Sequence, residues 1–69
     1  SYKEQRELET LPVTLASLES EQEQLELKLS DPGIYSDDPK LAADMASRLM
    51  AVEAEWMEAM ERLEALSGS

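Results

Sequence analysis

Sixty-nine residues carry sixteen acidic against six basic side chains, a net charge of −10, with 42% hydrophobic content and neither cysteine nor histidine. Those figures exclude a disulfide scaffold, thiol or imidazole catalysis and nearly all zinc or haem ligation, and they set an acidic surface against phosphate backbones and anionic membranes. No run approaches the roughly 18 consecutive apolar residues of a membrane span, and the first residues lack the basic and apolar regions of a signal peptide, so a cytoplasmic location without membrane contact is expected.

In chain order, the polar stretch from Lys3 to Thr10 predicts a short lead-in helix over about 3–10. Leu11-Pro12 predicts a kink or restart, because proline suits the first turn of a helix, where its missing N–H would have had no intrahelical partner. A first long helix then runs over about 11–29. Its stripe of Leu8, Leu11, Leu15, Leu18, Leu25 and Leu29 alternates steps of three and four, and Gln22 fills the one missing step. Residues 30–38, Ser-Asp-Pro-Gly-Ile-Tyr-Ser-Asp-Asp, are too short and too rich in turn formers to be more than a connection. Asp37 or Asp38 can then cap a second long helix over about 39–66, with Pro39 in its first turn. Its stripe is Ala42, Met45, Leu49, Val52, Trp56, Ala59, Leu63 and Leu66, and Glu58 and Arg62 are spaced for an ion pair within it.

Alternating steps of three and four mark left-handed supercoiling, and a short connection makes the two helices antiparallel. The chain, 1–69, therefore reads as one all-α domain, a two-helix antiparallel coiled-coil hairpin with a short N-terminal helical lead-in. Facing positions in such a pair add to a constant. A sum of about 67 sets Leu18 against Leu49 and Leu15 against Val52, while a sum of about 74 sets Leu8 against Leu66. The first is preferred, since it brings Glu21 near Arg48 and Glu7 near Arg62 and places Tyr2 beside Leu63 and Leu66. Two helices expose most of their surface, so the unit reads as part of something larger.

Four features invite a functional reading. Gln22 on the stripe either fixes register or reaches the edge of a wet seam. Ala43, Met50 and Met57 recur every seven residues off the stripe with Met60 beside them, a soft apolar face suited to docking on another domain or to a weak homodimer. Asp31, Asp37 and Asp38 resemble loose carboxylate ligation, but their spacing fits no calcium loop and capping accounts for them. The dense glutamates read as solvated surface, since paired catalytic carboxylates need a cleft that a hairpin does not supply. No catalytic, cofactor-binding or metal-binding residue is assigned, and the fragment is read as non-enzymatic.

The opening Ser1-Tyr2-Lys3-Glu4-Gln5-Arg6-Glu7-Leu8-Glu9, then Leu11-Pro12, then Leu29-Ser30-Asp31-Pro32-Gly33-Ile34-Tyr35 and Asp38-Pro39, resembles the C-terminal coiled-coil domain of bacterial ABC-F ATPases over nearly the whole chain. The resemblance implies a parent with two ATP-binding cassettes, which would bind ATP and magnesium, and no membrane-spanning domain. No P-loop is present in this fragment. It also implies partners: DNA or ribosomal RNA, and the cassettes of the same protein. The cations open to phosphates are Lys3, Arg6 and Arg62 toward the open end and Lys28 and Lys40 near the turn, without the basic stripe and interleaved aromatics of a dedicated reader. The expected role is an interaction module that contributes to DNA binding or to positioning on a nucleic-acid or ribosomal partner. The alternative is a structural tail that packs on the cassettes or dimerises.

Overall fold

The computed structural model describes residues 1–68, and three helices account for nearly all of them: α1 (Tyr2–Leu29), α2 (Gly33–Asp37) and α3 (Pro39–Leu66). The long helices lie antiparallel, because ion pairs join Glu7 to Arg62 and Glu21 to Arg48, positions that approach one another in sequence toward the turn. Both pairs fall on one register, the one in which facing stripe positions add to about 67. The result is a rod of 51 × 17 × 14 Å. Its accessible surface of 5100 Å² exceeds the about 4,300 Å² expected of a compact monomer of this mass. An all-α hairpin is thus the observed architecture, and it exposes more of itself than a globule would.

Each N-terminus of a long helix has a local cause. Ser1 Oγ accepts the Glu4 N–H at 3.3 Å and the Glu4 carboxylate reaches back, a capping box that starts α1 at Tyr2. Asp38 Oδ1 accepts the Leu41 N–H at 3.1 Å and Pro39 opens α3, as the sequence predicts. The connection is more ordered than a plain turn, with α2 filling most of it. Asp31 Oδ1 accepts the Gly33 N–H at 2.9 Å, so a Cβ at position 33 would stand only 3.2 Å from that oxygen. The Tyr35 hydroxyl donates to the Leu29 carbonyl at 2.8 Å, tying α2 back to the end of α1. Asp38 therefore caps α3, whereas Asp31 braces the turn through the Gly33 N–H and α2 has no side-chain cap.

Two expectations need correction. No break separates residues 3–10 from residues 11–29, because α1 continues through Pro12 as a single helix of 28 residues. An interior proline removes one helical hydrogen bond and costs about 3 kcal/mol. Here α1 is held to the same unbroken α3 on both sides of Pro12, by Glu7 before it and by buried Leu15 and Leu18 after it. Packing overrides the local preference. Arg62, in turn, forms its ion pair with Glu7 across the seam rather than with Glu58 along α3. The planar guanidinium matches both oxygens of Glu7, at 2.8 and 3.0 Å, a two-pronged geometry that the pair within the helix does not attain.

The core is a thin line. Leu15 and Leu18 of α1 and Ala42, Val52 and Ala59 of α3 are buried, and Val52 has no exposed surface at all. Small side chains at 42 and 59 let the helices approach, and with only five buried residues among those described the seam has no spare apolar area to lose. Tyr2 does not join it. Tyr2 is 74% exposed; its hydroxyl oxygen accepts a 3.3 Å hydrogen bond from Arg6 Nη1, and the Arg6 guanidinium carbon stands 6.0 Å from the ring centre.

Candidate functional site

The seam between α1 and α3 has two rims, and they are built from different chemistry. One is closed by arginine. Arg48 donates from Nε and Nη2 to the two oxygens of Glu21 at 2.6 and 2.9 Å, and its Nη1 stands 3.8 Å from Glu55. Further along the rod, Arg62 grips Glu7 in the same way. Hydrogen bonding to these guanidiniums holds Glu21 and Glu7 below the usual carboxylate range, and hydrogen bonding to the carboxylates raises both arginines in return. Partial desolvation opposes each shift without reversing it.

The second rim is an open groove of about 410 Å³ lined by Glu19, Gln22, Glu53, Trp56 and Met57. Among the described residues neither Glu19 nor Glu53 makes an ion pair, so two carboxylates stand uncompensated at its edge. The Trp56 indole N–H is covered but has no acceptor, which costs about 1–3 kcal/mol for a buried donor. Gln22 is half-buried here at the groove's edge. The stripe position is therefore used as an edge, and Trp56, expected in the seam, also lines the groove.

The methionine face lies alongside. Met57 is 59% and Met50 72% exposed, whereas Met60 is half-buried. Among the cations expected to meet phosphates, Arg62 is committed to Glu7, with Lys3 close enough to lower the same carboxylate. Arg6 is held by Tyr2. Lys3, Lys28 and Lys40 are exposed and make no ion pair among the described residues, the last two standing on either side of the turn. The structure thus separates these lysines into the rod's two ends rather than joining them in one positive surface. Sequence reasoning singled out Met57, Gln22 and Trp56 separately but missed Glu19 and Glu53 as a pair. Their sharing of one groove depends on which rim the arginines occupy.

Among the described residues no three His, Cys, Asp or Glu side chains are placed to hold a metal ion. No described helix is long and apolar enough to cross a membrane.

Comparison with known proteins gives the setting. Residues 1–68 match the family described as ABC transporter C-terminal domain. The chain is 38% identical over 66 residues to the ATP-binding protein Uup of Escherichia coli strain K12, a match that covers 96% of this chain and 10% of that protein. It therefore spans about a tenth of that curated relative's length. No solved structure matches.

Proposed function

The chain belongs to the ABC transporter C-terminal domain family, and we propose that it is a non-catalytic coiled-coil interaction module that positions a cytoplasmic ABC-F ATPase on a nucleic-acid or ribosomal partner. ATP and magnesium would belong to the cassettes of such a parent, since no P-loop lies in these residues. The observation that carries the reading is the placement of the unpaired lysines at the ends of a 51 Å rod, Lys28 and Lys40 flanking the turn and Lys3 at the opposite end beside Arg6. An acidic rod whose unpaired lysines sit at its ends, with Asp31, Asp37 and Asp38 around the pair at the turn, meets DNA or ribosomal RNA end-on, with few phosphate contacts and weak affinity.

A salt titration of duplex and branched DNA binding tests this. Replacing Lys28 and Lys40 with Glu is expected to flatten the slope of log affinity against log salt by about two, near one unit for each phosphate left without its cation. An unchanged slope contradicts binding through the turn.

A second reading is supported by the exposed Met50 and Met57: a structural tail that packs on the cassettes or pairs with a second copy. Sedimentation of the Met50→Glu/Met57→Glu chain discriminates it. Loss of self-association favours a homodimer; with monomers in both chains, binding to isolated cassettes decides the remaining case.

A further inference from the structure

We infer that the open groove is a docking site for a basic polypeptide, holding a Lys or Arg side chain between Glu19 and Glu53 against Trp56 and Met57. Three unsatisfied features point to one ligand chemistry. The two carboxylates have no cation partner among the described residues, and a positive head group between them supplies it. The ring of Trp56 and the thioether of Met57 give the groove an apolar floor that suits an aliphatic stem, and an indole face attracts a cation placed over it. The Trp56 N–H lacks an acceptor, and a main-chain carbonyl of an incoming segment provides one after a small rotation of the ring. Cationic head, aliphatic stem and carbonyl oxygen together describe a lysine or arginine residue of a polypeptide chain.

A nucleic acid fits the same groove poorly. It offers carbonyl acceptors and bases that stack, but its phosphates would stand beside Glu19 and Glu53 in a chain of net charge −10. The charge that weakens contact with DNA along the sides of the rod favours a basic protein segment there. This inference concerns a different surface from the lysines at the rod's tips, so either can fail without the other.

Trp56 is the sole tryptophan, so its emission reports the groove directly. The probes are an amphipathic Lys/Leu peptide, its Glu/Leu counterpart and single-stranded DNA, each titrated into the full chain. The Lys/Leu peptide is expected to bind saturably with a blue shift of Trp56 emission. Glu19→Gln together with Glu53→Gln should weaken it by about tenfold, as for removal of the partners of a partly desolvated cation. The pair Glu58→Gln and Glu61→Gln, equal in charge and placed on the outer face of α3, should change affinity by less than about twofold. Met57→Glu should weaken the apolar contact while circular dichroism stays helical. Equal weakening by the two glutamine pairs, equal binding of the Glu/Leu peptide, absence of binding, or a Trp56 shift produced by DNA instead would each overturn the inference.

Discussion

The two rims of the seam are made from the same few residue types and reach opposite outcomes. On one, Glu7, Glu21 and Glu55 are each in an ion pair with Arg62 or Arg48; on the other, Glu19 and Glu53 face a tryptophan, a glutamine and a methionine and have no such partner among the described residues. Both arginines of α3 stand fourteen positions apart, two heptads, and so emerge on the same side of that helix. A two-helix unit with so little core needs fastening, and it is fastened on one side. The lesson is that a net charge of −10 is not spread evenly: the seam's electrostatic repair is concentrated where it holds the helices together, which leaves the opposite rim free to meet something else.

The largest test breaks both rims at once. Val52 lies fully buried in the line of core residues between them. Val52→Asp should abolish the cooperative helical signal in circular dichroism, because it buries an unpaired charge in a seam with nothing to spare. Val52→Ala should cost about 2 kcal/mol in urea unfolding and leave both rims formed. Retention of full stability by the Asp variant would mean that the rims hold the hairpin without a core.

Pro12 gives the next effect, in the stabilising direction. It sits seven residues before Glu19, on the same side of α1 as the groove, and is exposed. Pro12→Ala restores a helical N–H and should raise stability by about 2–3 kcal/mol. A drop in stability instead would show that the proline shapes α1 to fit α3.

Acid separates the rims by their ionisation. Glu7 and Glu21 have lowered pKa values in the folded chain, so their pairs contribute stability that is fully present above the ordinary glutamate value of about 4.3 and is lost as pH falls through their lower folded values. The gap in urea midpoint between the native chain and an Arg48→Gln/Arg62→Gln variant should stay constant from pH 7 to about 5 and narrow progressively as pH falls below the ordinary glutamate value. A gap that does not narrow as pH falls below the ordinary glutamate range would assign the arginines' effect to packing of their stems.

The smallest effect belongs to the open side. Met50→Glu/Met57→Glu should shift stability by no more than about 0.5 kcal/mol, as expected of exposed positions away from the core. Unfolding by that pair would place those side chains in the seam.

Much of this architecture is written in the sequence. The alternating stripes give the helices, and Asp38-Pro39 gives the start of α3. The spacing of Glu7, Glu21, Arg48 and Arg62 gives the register, because complementary charges flank the stripe at matching intervals. The Ser1 and Glu4 capping box was readable as well, but the polar lead-in hid it behind the proline that follows. Continuity through Pro12 was not legible, since it results from packing against a helix some forty residues away. Nor was α2 expected: within a stretch of turn formers it is settled by the Tyr35 hydroxyl reaching Leu29. The groove was the least legible, because Glu19 and Glu53 acquire meaning only once the arginines have closed the other side.

A pair of double-mutant cycles, read by urea unfolding, tests that one-sided fastening most directly. Glu21→Gln with Arg48→Gln should be strongly non-additive, each single change removing the same interaction, whereas Glu19→Gln with Met57→Ala should be additive within error. Equal coupling on the two rims, or additivity on both, would contradict the account.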